Sequence, residues 1–220
     1  MKEHYFTPSN VNRVARVLRD RVRVDGDRKS NYVPARSALL VLDMQRYFLD
    51  KNSHAFVPSA PAIIPGLLRL IEIYVKHNLN IILTRHINTP EDAVMMSKWW
   101  KDLITRENKL SEIDERFLQA GKTVIEKSQY DAFFQTSLES LLRENNITQV
   151  VITGVMTHLC CETTARSAFM RGFEVFFAVD GTATYNEEFH RASLMNLSHG
   201  FADLVLIDEL IKAIEDGSAK

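Results

Sequence analysis

Two periodicities alternate along the chain. Short, nearly continuous apolar runs are separated by longer stretches in which apolar residues recur every three or four positions. "SALLVLD" (Ser37 to Asp43) is the first run and ends in an acid, as expected for a strand buried on both faces. "IIPGLLRLIEIYVKHN" (Ile63 to Asn78) follows, with Leu67, Leu70, Ile71 and Tyr74 at helical spacing. Next come a strand "NIILT", a polar loop holding "WWKDLI", a strand "KTVIEK", a helix "QTSLESLLRENN" and a strand "QVVITG". The stretch "VMTHLCCETTARSAFMRGF" then reads as helical, with Gly172 placed to cap its C-terminus. A strand "EVFFAVD", a helix "NEEFHRASLMNLSHGFA", a strand "DLVLID" and a short terminal helix complete the pattern.

Six β-runs, each separated by enough chain for a crossover helix, predict a parallel sheet covered on both faces. Right-handed crossovers make this an α/β protein, a three-layer α/β/α sandwich with a six-stranded parallel sheet. The length fits one domain over residues 1–220, with residues 1–34 as an N-terminal helical extension. In such sheets ligands bind beyond the carboxyl ends of the strands. The residues to weigh are therefore Asp43, Arg85 with His86, Lys127, the Gly154–Cys160 loop and Asp180.

Charge narrows the partners. With 27 basic and 28 acidic side chains and no basic stripe, nucleic acid and anionic membrane are not expected. The stretch "RVARVLRDRVRVDGDRK" (Arg13 to Lys29) reads as a solvated helix face. No apolar run approaches the roughly 20 residues of a membrane span, and "MKEHYFTPSN" lacks the apolar core of a secretory signal. The two cysteines, Cys160 and Cys161, are adjacent and cannot staple a loop, which agrees with a reducing, cytoplasmic setting.

An acid, a lysine and a cysteine from three strand ends can meet at one edge of the sheet. Cys160 falls at the first turn of a helix, where the dipole and free N–H groups favour a thiolate. A nearby ammonium would lower the thiol pKa further, and a carboxylate in reach could take the thiol proton and later return it to a leaving group. Helix-start N–H groups could form an oxyanion hole. Each residue also has a plain role: Asp43 as a turn cap, Lys127 as a surface charge, Cys160 as a small buried apolar side chain. Their coincidence at strand ends favours the chemical reading.

The blocks "LLVLDMQRYF", "VIEKSQYDAFFQTSLESLL" and "GVMTHLCCETTARSAFMRGFEV" resemble the isochorismatase-like hydrolases, which include isochorismatases, nicotinamidases and N-carbamoylsarcosine amidases. The match runs from about Ser37 to Leu206, and the G-V-x-T-x-x-C pattern with its T-x-x-x-A helix is the most specific part. The resemblance implies a Rossmann-like isochorismatase fold and a catalytic triad of Asp43, Lys127 and Cys160. It makes Cys160 rather than Cys161 the nucleophile and implies a cis peptide between Val155 and Met156. The N–H groups of Met156 and Cys160 would then form the oxyanion hole. It implies no cofactor, a small-molecule substrate and a homo-oligomer, a dimer or tetramer.

Two departures sharpen this. Nicotinamidases carry an Asp-x-His metal pair after the second strand; here "RHIN" supplies His86 and Asn88. A lone histidine is a poor zinc site, so no metal is expected and a nicotinamidase identity is disfavoured. Siderophore-type isochorismatases lack the cysteine, so Cys160 argues for thiol chemistry, although "SALLVLDMQRYFLD" looks closer to their branch.

Candidate pocket residues are aromatic: Tyr47 and Phe48 after the aspartate, Trp99 and Trp100 in "SKWW", and Phe133 or Phe134 after Lys127. Adjacent tryptophans on a helix point about 100° apart, so at most one of them faces the pocket, and packing of both is an equal alternative. His158 is placed to contact substrate or to orient its loop. Arg85 and Arg166 are better read as partners of surface acids than as substrate ligands. The leading expectation is a metal-independent cysteine hydrolase of a small amide or ureido compound, working through a thioester. The alternatives are a vinyl-ether hydrolase using Asp43 as acid, and a non-catalytic thiol switch.

Overall fold

The apolar runs form six strands: β1 Ser37–Leu42, β2 Asn80–His86, β3 Thr123–Lys127, β4 Gln149–Val155, β5 Glu174–Ala183 and β6 Asp203–Val205. In the computed structural model they make one sheet in the order β3-β2-β1-β4-β5-β6, every pairing parallel. The structure describes residues 1–22, 31–118 and 123–217; the second half of the arginine–valine stretch (23–30) and Lys122 of "KTVIEK" lie outside them. Every residue of β1 and β4 is buried, which is why their sequences carry no polar alternation. At the edge, β3 alternates, and its Val124 is 44% exposed.

The six longer helices are α1 Val11–Val22, α2 Ala60–Lys76, α3 Leu138–Glu144, α4 Glu162–Met170, α5 Glu187–Gly200 and α6 Ile207–Gly217. Right-handed crossovers put α2 on one face of the sheet and α3, α4 and α5 on the other. Helix α6 packs against α2, and α1 against β5 and α5. The result is the three-layer α/β/α sandwich. Gly172 ends α4 with φ 79°, and the N–H groups of Gly172 and Phe173 donate back to Phe169 O (2.9 Å) and Ala168 O (3.1 Å). Such a left-handed cap suits glycine. Among the described residues, no helix is long and apolar enough to cross a membrane.

The chain winds outward from β1 through β2 to β3, then returns to start again at β4 beside β1. A crevice opens where the winding reverses, beyond the carboxyl ends of β1 and β4. Gly154 sets how closely these two strands approach. Its φ is 105°, and a β-carbon there would lie 2.0 Å from Leu42 O.

Of the boundaries that differ from the sequence pattern, two bear on Asp180. Strand β5 continues past Asp180 to Ala183, and β6 stops at Val205 instead of Asp208. The cause is the start of α6, where Ile207 N–H donates to Asp180 Oδ1 (2.9 Å) and Leu206 N–H to Glu209 Oε2 (3.0 Å). Side chains thus satisfy backbone donors that a longer strand would have carried into the ladder. Asp180 therefore serves a helix start and does not face the crevice.

Burial pushes the Asp180 carboxyl up to about 6. A carboxyl whose folded pKa is raised stabilises the fold below its unfolded value and loses that contribution as pH rises through the folded one. Ionised Asp180 thus costs the fold on the order of 2–3 kcal/mol at neutral pH. Asp180→Asn, which still accepts the Ile207 N–H, is expected to resist urea better than wild type at about pH 7.5, with the gap closing toward about pH 4. A gap that does not change with pH would refute this assignment.

Candidate active site

Four strand ends deliver the polar groups of the crevice. Asp43 follows β1 with φ 51°, a left-handed conformation that short polar residues tolerate best. Its Oδ1 accepts the Thr84 hydroxyl at 2.6 Å, and its N–H donates to Thr84 Oγ1 at 3.1 Å. Oδ2 lies 2.7 Å from Lys127 Nζ, and neither side chain has any exposed surface. That contact is not aligned as a directed hydrogen bond, so charge holds it. Lys127, the last residue of β3, also donates to Gln129 O (3.0 Å) and Cys160 Sγ (3.5 Å), and faces His86 Nδ1 at 3.4 Å. Three ammonium protons thus meet three partners, and the ammonium holds Asp43 by charge alone.

His86 ends β2. Its Nε2 lies 2.8 Å from Asn88 Oδ1, while Asn88 Nδ2 donates to Ser128 O (2.9 Å) and Asp92 Oδ1 (3.3 Å). This network assigns the proton to Nε2 and leaves the Nδ1 lone pair toward Lys127. Burial and the Lys127 charge bring its pKa down to about 4, so the imidazole is neutral. Gln45 ties the strand ends together: Nε2 donates to His86 O (2.9 Å) and Ser111 O (2.7 Å), and Oε1 accepts His86 N–H (2.8 Å).

Cys160 sits in a π-helical turn, Thr157–Cys161, between β4 and α4, just after a cis peptide at Val155–Met156. Cys161 turns the other way, fully buried in the apolar core with Sγ 3.9 Å from Thr153 O. Burial is the largest influence on each member of the Asp43–Lys127 pair and opposes its charge, yet the partner ion and the neighbouring groups together outweigh it: Asp43 is held below the ordinary carboxylate range and Lys127 above the ordinary amine range. Cys160 behaves otherwise. Burial, then the Asp43 charge, push the thiol up to about 12 against the pull of Lys127. The helix start does not make a resting thiolate, because burial, and then the carboxylate beside it, keep the proton on sulfur.

Cys160, Met156, His86 and Asn88 border a cavity of about 150 Å³. Its walls are largely aromatic: Tyr47, Phe48, Trp100, Tyr130 and Tyr185, with His54 beside them. Trp100 Nε1 donates to Tyr130 OH at 2.7 Å, while Trp99 points to solvent and is 75% exposed. Phe133 and Phe134 do not reach the cavity: Phe133 stacks on Phe173 in the core, and Phe134 faces outward. His158 also stays outside the lining; its ring stacks on Phe189, and Nδ1 lies 2.6 Å from Thr184 Oγ1, so it orients the loop. Arg85 is engaged by Ser111 and Glu112, and Arg166 by Glu162 and the Phe201 ring.

Asp43, His86 and Cys160 bring ligand atoms within 4.8 Å of one another, a convergence that sequence spacing does not reveal. Yet this set does not fit a metal ion. The Lys127 ammonium already stands against all three, and both nitrogens of His86 have partners. Thr84, Gln45, Tyr130, Tyr185 and His54 were not anticipated; of these, only Gln45 and Tyr130 lie in blocks that carried the family signal.

Residues 37–209 match the isochorismatase domain model. The chain belongs to the isochorismatase family. Nicotinamidase 3 of Arabidopsis thaliana is 40% identical over 183 residues, 81% of this chain and 88% of that one. Enterobactin synthase component B of Escherichia coli is 31% identical over 185 residues, 83% of this chain and 65% of that longer one. The structure of a cysteine hydrolase from Pseudomonas syringae superposes with a TM-score of 0.82 at 24% identity, covering 86% of this chain and 97% of that one. This member of the family is a hydrolase. Its likeness to Nicotinamidase 3 runs against the expectation, drawn from the missing Asp-x-His pair, that it stands apart from nicotinamidases.

Lys127→Met leaves Asp43 as an uncompensated buried charge and is expected to cost about 3–5 kcal/mol of stability. Adding Asp43→Asn should recover most of that loss; additive losses in urea unfolding would contradict the coupling. The proton arrangement has its own signature. Iodoacetamide labelling of resting Cys160 should rise steadily between about pH 7 and pH 10, since only the thiolate reacts. A plateau near neutrality would show a resting thiolate and overturn it.

Proposed function

We propose that this protein is a metal-independent thiol hydrolase that cleaves the C–N bond of a small amide or ureido compound. The observation that carries the reading is the Cys160 thiol held 3.5 Å from the Lys127 ammonium, beside the ionised Asp43, at a cavity. The aromatic walls and small volume favour a flat monocyclic amide, and the 40% identity to Nicotinamidase 3 supports that class.

Asp43 takes the thiol proton as Sγ attacks the carbonyl carbon. The carbonyl oxygen takes up the negative charge, with the N–H groups of Met156 and Cys160 as its donors. When the tetrahedral intermediate collapses, the C–N bond breaks and Asp43 delivers its proton to the departing nitrogen. Water then attacks the thioester with Asp43 again as base, and the acid leaves as the thiol is restored. Lys127 offsets the charge as it passes between carboxylate and sulfur. Neutral His86 takes no proton; it helps fix the ammonium through Nδ1.

The 28% identity to the Isochorismatase of Bacillus subtilis favours a second reading, vinyl-ether hydrolysis with Asp43 as acid. One panel separates them: nicotinamide and other aromatic amides, N-carbamoyl amino acids and isochorismate, each with wild type, Cys160→Ala, Cys161→Ala and Asp43→Asn. Ammonia release should fall by about 10³-fold or more in Cys160→Ala and Asp43→Asn, and change little in Cys161→Ala. Turnover of isochorismate alone, insensitive to Cys160→Ala, would replace the amide reading with the second one.

A further inference from the structure

The family match begins at residue 37, yet the segment Met1–Thr7 is built into the walls of the cavity. Tyr5 and Phe6 are buried, at 8% and 1% exposure. On one side, the Lys2 ammonium donates to His54 O (2.5 Å) and Phe56 O (2.9 Å), and Ser59 Oγ accepts Phe6 N–H (3.1 Å) while donating to Glu3 O (3.2 Å). On the other, Glu3 N–H donates to Tyr185 O (2.7 Å), Asn186 Nδ2 to Met1 O (3.2 Å), and Thr184 N–H to Tyr5 OH (3.0 Å). Lys2 Nζ also stands over the Tyr185 ring, 4.4 Å from its centroid. His54, Ala55 and Tyr185 line the cavity, so one short segment bridges two of its walls.

The same segment reaches the nucleophile's turn. Tyr5 and Phe6 pack on the His190 ring, with centroids 5.4 and 5.3 Å away. His190 Nδ1 lies 2.9 Å from the hydroxyl of Thr157, the first residue of the π-turn. Thr184, held by Tyr5, in turn contacts His158 of that turn.

We infer that Met1–Thr7 is a strap joining the 54–56 and 184–186 walls of the cavity, with Lys2 and Tyr5 as positioning residues that set how well the cavity holds its substrate. Lys2 acts through backbone carbonyls, not on reacting atoms. Loosening the strap therefore weakens substrate binding more than it slows the chemical step. The substrate part of this inference rests on the cavity being the site proposed above; the strap itself does not.

The test compares Lys2→Met, Lys2→Arg and Tyr5→Phe with wild type in the full chain. In Lys2→Met, two hydrogen bonds from a charged donor are lost. KM for the amide that wild type hydrolyses should rise about tenfold, kcat should stay within about twofold, and Lys2→Arg should recover most of the loss. Backbone amide exchange should quicken at residues 53–57 and 184–187 in Lys2→Met, and around residue 184 in Tyr5→Phe, while the central strands stay protected. The exchange readout needs no substrate. If wild type hydrolyses no amide, the functional reading fails and the strap is still decided by exchange. Wild-type exchange in both walls, or faster exchange spread evenly over the chain, would overturn the strap; an unchanged KM beside quickened walls would overturn its link to substrate.

Discussion

The buried pair of Asp43 and Lys127 is the constraint around which the rest of the site is arranged. Two full charges with no exposed surface are costly, and their mutual attraction repays that cost only when further hydrogen bonds complete it. The surrounding sequence supplies them: the Thr84 hydroxyl for Asp43, itself oriented by the Asp43 N–H, and the Gln129 carbonyl and the His86 lone pair for Lys127. A buried ion pair is weak support for a fold, so its retention here points to use. The sheet places it where use is possible, with the carboxylate at the end of a central strand and the ammonium on an edge strand two positions away.

Burial and the pair together also explain why Cys160 rests as a thiol. A carboxylate and an ammonium side by side act oppositely on the sulfur, and burial sides with the carboxylate. The proton therefore has a destination within the site, and sulfur need not be an anion before substrate arrives. Neutral His86 completes this arrangement. Locked by Asn88, it presents a lone pair to the ammonium without adding a charge.

The layered fold was legible because central parallel strands cannot carry polar alternation, and β1 and β4 carry none. The acid, lysine and cysteine were legible through strand ends and family motifs. Other features depended on directions that one-dimensional spacing does not encode. Thr84 reads as an ordinary β-branched strand residue, yet its hydroxyl holds the carboxylate. Phe133 and Phe134 follow Lys127 closely, but the chain turns first, so that Tyr130 meets the cavity and Phe133 enters the core. Asp180 looked like a strand end because its acid follows an apolar run; the helix start that claims it lies 27 residues away. Helix-start electrostatics suggest a thiolate, and only the three-dimensional surroundings show burial and the carboxylate outweighing them.

Lys127 belongs to β3, an outer strand of the sheet whose residues alternate between core and solvent. Edge strands open more readily than central ones, in excursions far smaller than global unfolding. Each such fraying event carries the ammonium away from an anion that stays embedded between β1 and β2. The geometry of the whole cluster is thus tethered to an outer strand, and warming would part the two charges before it melted the sheet.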